Sequence, residues 1–258
     1  MLTKSDIDKY NSDGYCVINN AINTDCIENF LSELQKIVSK VLKVKYSDNL
    51  DDLDNLINKA YNSNQGAGGF IYDAMNMHNL LYSLFDLSSI KSSLKGLLSN
   101  KEGLFDLAIS DHQFRIESPL NCKNTLGWHQ ESSYYSEICS DSNSTVAFIP
   151  LKNCSPEDGS IVIDPRSHLV GRVEHSSNKL GEHKTKNPLT RGTSYLSEET
   201  YDFSNAFSPN LKPGSVAFFH FDLFHRSGIN KSGKIRYCAL ARCSNIYGKG
   251  FLKKYNIW

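Results

Sequence analysis

The sequence predicts a mainly β protein with flanking α-helices, in which a double-sheet barrel or jelly roll carries the helices on the outer face of one sheet. Two observations lead to this fold class. Apolar residues recur with helical spacing through the first hundred residues, and from about residue 104 short β-rich runs alternate with Gly, Pro, Asn and Ser. No internal repeat or low-complexity linker interrupts the chain. We therefore expect residues 1–258 to form one domain, with a helix-rich part at 1–103 and a jelly-roll core at 104–247.

The helix-rich part is expected to hold four helices after a short strand. Apolar side chains recur at three- and four-residue steps in the first helix, and Thr24 and Asp25 suit its start. The apolar face of that helix consists of Ile27, Phe30, Leu31, Leu34, Ile37, Val38, Val41 and Leu42. The strand is expected at about 15–18, and the helices at about 24–42, 50–60, 71–87 and 90–98.

The core is expected to consist of short strands rich in β-branched and aromatic residues and separated by turn residues. The candidate strands are 107–110, 113–117, 128–131, 145–151, 160–164, 215–221 and 235–243. Residues 170–207 are polar and show little periodicity. Long segments of this kind are often functional, so we interpret this one as a lid-like insertion over one end of the barrel.

Composition narrows the class of protein. Lys plus Arg and Asp plus Glu number 28 each, so no overall field favours nucleic acid or a membrane surface. The seven cysteines include no Cys-x-x-Cys, which argues against a disulfide framework or a structural zinc site. The N-terminus has no apolar signal core, and no run approaches the ~18 apolar residues of a membrane span. We expect a reduced, cytoplasmic compartment.

The pair His129-x-Glu131 is the first candidate for chemistry. On a β-strand, residues two apart point to the same face, and a third ligand from a distant strand, His225, can close a triangle around one metal ion. Two histidines and one carboxylate leave three positions open for a co-substrate and O2, as in non-haem Fe(II) oxygenases. A lone His-x-Glu also arises by chance on half-exposed strands, but His225 directly after an apolar strand favours the metal interpretation.

Arg236 lies eleven residues beyond His225 and opens the next β-rich run. Its planar guanidinium matches a carboxylate bidentately, and an unpaired charge inside the barrel would be costly. The C5 carboxylate of 2-oxoglutarate is a ligand of the required kind. The alternative is a surface salt bridge, which is common for an arginine on a strand.

Four motifs in order carry a resemblance to a known family. They are an Asn-Ser-Asp-Gly-Tyr-Cys-Val-Ile opening at 11–18, Trp-His-Gln-Glu at 128–131, a Gly-to-His segment at 159–168, and His-x-Ser-x-x-Asn at 225–230 followed by Arg236. Together the motifs and the helix after the first of them resemble the phytanoyl-CoA dioxygenase-like group of Fe(II)/2-oxoglutarate oxygenases over nearly the whole chain.

The resemblance implies a double-stranded β-helix core, a cupin-like jelly roll. It implies that His129, Glu131 and His225 bind Fe(II), and that Arg236 and Ser227 hold the distal carboxylate of 2-oxoglutarate.

Four further residues are expected near the same cavity. Gln113 is assigned to the co-substrate and Arg115 to the substrate, because both look like residues of the family strand that lines the cavity. The alternative is that they are exposed polar positions on an alternating strand. Tyr134 and Tyr135 are assigned to the substrate at the pocket mouth, with ordinary edge aromatics as the alternative.

The implied activity is an Fe(II)- and 2-oxoglutarate-dependent dioxygenase that hydroxylates an unactivated C–H of a small-molecule metabolite. The co-substrate 2-oxoglutarate and O2 would become succinate and CO2. An alternative is a metal-binding jelly-roll protein without oxygenase activity, such as an isomerase or a sensor of a 2-oxo acid. We expect a monomer or homodimer with a small-molecule substrate and with neither nucleic acid nor membrane as partner.

The chain departs from the family pattern at three places. Glu131 replaces the usual Asp, the strand at 146–151 lacks a Trp often found there, and Arg166 replaces a Gly at a turn. The first lengthens a metal ligand, the second reshapes the cavity wall, and the third places a bulky residue at the turn.

Overall fold

The structure, a computed structural model, describes residues 1–63, 65–119, 125–135, 144–177 and 194–254. Cys122, Cys139 and the middle of the predicted insertion, 178–193, lie outside the described residues. The helices are α1 (Lys4–Asp13), α2 (Thr24–Leu42), α3 (Leu53–Ser63), α4 (Gln65–Asn76), α5 (Asn79–Phe85), α6 (Ser88–Leu98) and α7 (Lys249–Lys254). None of these described helices is long and apolar enough to cross a membrane.

The strands form one large antiparallel sheet and two small ones. They are β1 (Tyr15–Ile18), β2 (Leu107–Glu117), β3 (Ser144–Pro150), β4 (Val162–Ile163), β5 (Ser176–Ser177), β6 (Ser194–Tyr195), β7 (Val216–His220), β8 (His225–Arg226) and β9 (Arg236–Asn245). The large sheet has the order β1-β7-β3-β9-β2, and the small sheets pair β4 with β8 and β5 with β6. The predicted class, mainly β with flanking helices, is confirmed.

The two faces of the large sheet have different partners. Its outer face packs against the N-terminal helices in one apolar core, where Phe114 of the sheet contacts Phe30 of α2 and stacks on Tyr237 of the neighbouring strand. Its inner face packs against the β4–β8 side in a second core that includes Val146, Phe219 and other apolar residues. The helices therefore lie on one sheet, as expected, and the inner face is left for the site.

The N-terminal helix α1 was not predicted. Thr3 caps it by a reciprocal pair of hydrogen bonds with Asp6, and Gly14 ends it in the left-handed conformation at φ 81°. A Cβ at Gly14 would lie 2.5 Å from the side chain of His168, so this position also needs glycine for space. The lysine-rich segment near the C-terminus, Lys249–Lys254, forms α7.

Three predicted elements differ from those in the structure by more than their end residues. The helix expected at 71–87 is two helices, because the chain turns at Met77 and the side chain of His78 accepts from the backbone N–H of Leu80 to begin α5. The strands expected at 107–110 and 113–117 are one strand with an irregularity between Ile109 and Asp111. Residues 128–131 form only a bridge at His129, after which Glu131 begins a 3₁₀ turn.

The turn at Arg166 forms despite the missing glycine. Arg166 adopts φ 71° and ψ −5°, the left-handed region, and its N–H donates to the carbonyl of Asp13 at 2.8 Å. A non-glycine residue in this region costs about 1–2 kcal/mol. The surrounding contacts offset that cost here.

The described ends of the insertion pack against the outside of the core near Trp128. The N–H of Leu196 donates to the Trp128 carbonyl at 2.7 Å, and the rings of Trp128 and Phe203 stack with centroids 4.1 Å apart. The guanidinium of Arg226 lies over the Trp128 ring at 5.3 Å. The insertion is thus anchored directly beside His129.

Candidate active site

His129, Glu131 and His225 converge on one point. Each offers a ligand atom, these atoms all lie within 4.8 Å of one another, and all three residues are buried. The backbones of His129 and His225 exchange hydrogen bonds of 2.9 and 3.0 Å, which fixes the spacing of the two imidazoles. The sequence predicted this triad from a strand geometry that Glu131 does not have, since its side chain reaches the site from the 3₁₀ turn.

Both imidazoles are oriented by backbone carbonyls. Nδ1 of His129 donates to the carbonyl of Gly127 at 2.7 Å, and Nδ1 of His225 donates to that of Leu223 at 2.8 Å. Burial, with His225 nearby, lowers the pKa of His129 to about 3, so this ring is neutral at physiological pH. The Nε2 atoms therefore keep lone pairs for a cation, which is the arrangement that metal-ligating histidines require.

Arg242 of β9 binds the carboxylate of Glu131 with two hydrogen bonds. Its Nη2 and Nε donate to Oε1 and Oε2 at 3.0 and 3.2 Å. Burial alone would raise the pKa of Glu131, but Arg242 and the neighbouring His225 hold it well below its usual range. The third nitrogen, Nη1, lies 3.5 Å from Asp111 Oδ2, which also accepts from the Tyr135 hydroxyl at 3.0 Å. Glu131 is thus charged and held in place.

The sequence prediction did not include Arg242. Arg236 and Arg242 are an even number of residues apart on β9, so their side chains share the inner face of the sheet. That even spacing was the feature of the sequence that could have indicated Arg242 as a residue of the same site.

Gln130 was also missed, although it lies between two predicted ligands. Its side-chain amide donates to the carbonyls of Gly171 and Asp222 at 2.8 and 2.7 Å and accepts from the N–H of Val173 at 3.0 Å. The residue therefore ties the start of the insertion to the loop before His225.

A pocket on the inner face joins the triad to Arg236. Its walls include Arg115, Ser227, Arg236 and Arg242 besides the three candidate ligands. Arg236 is buried and paired with Glu117, the residue directly opposite on β2. Its Nε and Nη1 have no hydrogen-bond partner within the described part of the chain. Burial lowers the pKa of Arg236, but Glu117 raises it by more, so the guanidinium stays charged.

The remaining predicted residues are placed as follows. Ser227 Oγ accepts from the N–H of Leu126 at 3.0 Å and faces the pocket, with its own proton available. Arg115 reaches the pocket, whereas Gln113 donates to Asp111 at 3.1 Å and is not among the described pocket residues. The structure therefore does not bring Gln113 to the triad, and its role stays a prediction.

The two tyrosines differ. The ring of Tyr134 lies 5.5 Å from that of His129, and its hydroxyl donates to the carbonyl of Ser194 in the insertion at 2.7 Å. Tyr135 is bound to Asp111 and lies under the Arg242 guanidinium at 5.8 Å. Tyr134 lies between His129 and Ser194, whereas Tyr135 belongs to the polar network behind Glu131. The assignment of both residues to the substrate stays a prediction.

Comparisons with known proteins give a family and a fold. A family model described as phytanoyl-CoA dioxygenase (PhyH) matches residues 10–238. No curated protein matches the sequence. The chain is similar to the apo non-heme monooxygenase ThoJ, with 15% identity, TM-score 0.62, and 93% of this chain and 77% of that chain covered.

Two further solved structures are similar to the chain. For EctD from S. alaskensis with 2-oxoglutarate and 5-hydroxyectoine, the identity is 16%, the TM-score 0.61, and the coverage 96% of this chain and 77% of that one. For the epimerase SnoN with Fe3+, alpha ketoglutarate and nogalamycin RO, these values are 14%, 0.61, 94% and 83%. At such identities the likeness shows the fold, which is the predicted cupin-like jelly roll.

Proposed function

This chain belongs to the phytanoyl-CoA dioxygenase (PhyH) family, and we propose that it is an Fe(II)- and 2-oxoglutarate-dependent dioxygenase that hydroxylates a C–H bond of a small-molecule metabolite. The observation that carries the proposal is the convergence of His129, Glu131 and His225 within 4.8 Å. Two imidazoles and one carboxylate are the donor set of non-haem Fe(II) oxygenases.

The donor set fits a divalent cation. Each histidine has its Nδ1 proton engaged by a carbonyl, so each presents Nε2. Arg242 binds both oxygens of Glu131, and each carboxylate oxygen has a second lone pair that remains for the metal. Fe(II) held there with 2-oxoglutarate would supply the oxidation of an unactivated C–H by O2. The protein's own contribution is to fix the ligands and to exclude water.

The co-substrate would be held by Arg236 and Ser227. The unpartnered Nε and Nη1 of Arg236 support this assignment, because buried donors without acceptors are costly and a carboxylate would satisfy them. Ser227 retains a proton to donate to the same group. Both residues line the pocket that contains the triad.

The substrate would bind beside Tyr134, where the insertion comes close to His129. Tyr134 contacts His129 through its ring and Ser194 through its hydroxyl, so it connects the insertion to the metal ligands. Arg115 faces the same pocket and would meet a polar or anionic group of the substrate or co-substrate. The similar protein SnoN is an epimerase. Epimerisation is therefore the second outcome that a substrate screen should score.

The test is succinate formation by the full chain. Protein reconstituted anaerobically with Fe(II) and 2-oxoglutarate should release succinate slowly when O2 is admitted, without substrate. His225→Ala should lose this turnover because one ligand is gone. His112→Ala is the matched control, since His112 lies on the outer face of β2 against Tyr82.

Binding of 2-oxoglutarate separates the proposal from its alternative. The metal-loaded protein should gain thermal stability with 2-oxoglutarate, in the way that any ligand of the native state stabilises it. Absence of both succinate and stabilisation would contradict the proposal and favour a metal-binding jelly-roll protein that does not use 2-oxoglutarate, such as an isomerase. Stabilisation without succinate would favour a sensor of the 2-oxo acid. Turnover that survives His225→Ala would contradict the assignment of the ligands.

A further inference from the structure

Three charged residues form a cluster at the end of the β2–β9 ladder that is far from Glu131, and two of them, Arg115 and Arg236, line the pocket. Glu117 of β2 lies opposite Arg236 of β9 in the register, and its Oε2 binds the Arg236 Nη2. The Nη1 of Arg115 lies 4.0 Å from Oε1 of the same glutamate. Glu117 and Arg236 are 6% and 4% exposed, so this cluster is shielded from solvent. With two guanidinium groups and one carboxylate, the cluster has a net charge of one positive unit.

The cluster also has unused hydrogen-bonding groups. Nε and Nη1 of Arg236 and Nε of Arg115 have no partner among the described residues, and neither has Oε1 of Glu117. Glu117 therefore occupies only one of the three nitrogens of Arg236. One additional carboxylate would neutralise the cluster and accept from the free donors, but it would lie beside the carboxylate of Glu117.

We propose that Glu117 is a specificity-determining residue of the co-substrate pocket, where its carboxylate competes with the distal carboxylate of a 2-oxo dicarboxylic acid for Arg236. The inference rests on the proposed function, because it requires that a 2-oxo acid binds in this pocket. Its consequence is that the chain binds 2-oxoglutarate more weakly, and prefers it less over 2-oxo acids without a distal carboxylate, than Arg236 alone would allow.

The physical reason is repulsion between like charges in a poorly solvated place. Two carboxylates that share one guanidinium repel each other, and burial reduces the screening of that repulsion. Replacing Glu117 by glutamine removes the charge and keeps the shape and an oxygen that can accept from Arg236. The orientation of the guanidinium is therefore retained while the competitor is removed.

The experiment compares two ligands that differ only at the distal end. Anaerobic calorimetric titration of the Fe(II)-loaded full chain would measure binding of 2-oxoglutarate and of 2-oxopentanoate, which carries a methyl group in place of the distal carboxylate. Glu117→Gln should bind 2-oxoglutarate about tenfold more tightly, equivalent to about 1.4 kcal/mol, and 2-oxopentanoate with unchanged affinity. Glu117→Thr, which also suits a strand, should change the ratio in the same direction.

Asp111→Asn is the matched control. Asp111 lies on the same face of β2 and is also paired with an arginine of β9, but at the end of the ladder that holds Glu131. Any effect of this variant acts through Arg242 and the metal ligand, so it should change the two affinities alike and leave their ratio as in the wild type.

The outcomes are distinct. An unchanged or weakened affinity of Glu117→Gln for 2-oxoglutarate would overturn the inference, and so would an equal gain for both acids, because only competition at the distal carboxylate separates them. If the metal-loaded wild type binds neither acid, the proposed function fails and the inference fails with it.

Discussion

The inner face of the β2–β9 ladder carries an arginine paired with a carboxylate near each end. The two pairs differ in how many nitrogens of the guanidinium have a hydrogen-bond acceptor. At the end near Glu131, which we call the Arg242 end, all three guanidinium nitrogens of Arg242 have acceptors, two on Glu131 and one on Asp111. At the other end, Arg236 uses one nitrogen for Glu117 and leaves two without partners in the described structure. Both arginines are buried.

This difference separates a structural ion pair from a ligand-binding one. Buried polar groups in folded proteins are almost always hydrogen-bonded, so a saturated arginine needs nothing more, whereas an unsaturated one indicates a missing partner. The Arg242 end holds a carboxylate of the protein itself, that of Glu131, which is the proposed metal ligand. The Arg236 end is suited to receive a carboxylate from a ligand.

The largest effect is expected from Glu131→Ala, which tests whether the Arg242 end of the ladder binds a metal ion. Loss of one of three ligands should reduce the affinity for Fe(II) by more than the ~10–100-fold that is lost when a residue hydrogen-bonded to a metal ligand is replaced. Metal titration under anaerobic conditions would measure it. If the affinity stayed near that of the wild type, the Arg242–Glu131 pair would be purely structural and the comparison of the two ends would lose its meaning.

A second prediction compares Arg242→Met with Arg236→Met in the metal-free protein. Arg242→Met leaves the buried Glu131 without a cation bound to it, which should lower the free energy of unfolding by about 3–5 kcal/mol. Arg236→Met should cost less, because Arg115 remains 4.0 Å from Glu117. Urea denaturation would measure both.

The same two variants should also differ in how much metal and 2-oxoglutarate stabilise them, and here Arg236→Met should be the more affected by the loss of co-substrate binding. Arg236→Met should remove the stabilisation by 2-oxoglutarate, whereas Arg242→Met should recover part of its lost stability when metal replaces the guanidinium. Equal losses in both variants, with and without metal, would show that saturation of the arginine does not distinguish the two ends.

The part of the site that the sequence predicted depends on residue type and order along the chain. His129, Glu131 and His225 could be found because few residue types bind iron, and Arg236 because its distance from His225 is a local feature. The even spacing from Arg236 indicated the face on which Arg242 lies, but the partners of Arg242 and Glu117 could not be found that way. Their roles follow from the register of two strands that lie more than a hundred residues apart, and the irregularity between Ile109 and Asp111 alters which residues of β2 face inward.

The fold shows the same division. Periodicity predicted the helix at Thr24–Leu42 with its start, and the β-rich runs predicted most of the strands that form the large sheet, though not their order. It could not predict that Glu131 leaves the strand, because a 3₁₀ turn of three residues has no periodic pattern to detect. The break at Met77 was missed for a related reason, since the apolar pattern continues on both sides of it.

The smallest expected effects come from removing one hydroxyl at each end, and they sharpen the comparison most. Tyr135→Phe deletes a hydrogen bond to Asp111 at the saturated end, so it should cost about 1 kcal/mol of stability and leave the affinity for 2-oxoglutarate unchanged. Ser227→Ala should weaken 2-oxoglutarate binding more than Tyr135→Phe does, because its proton is available to the ligand. Denaturation and anaerobic titration of both variants would measure the two effects. A Tyr135→Phe protein that bound the co-substrate more weakly than Ser227→Ala would place the distal carboxylate of the ligand at the Arg242 end and reverse the roles argued for the two arginines.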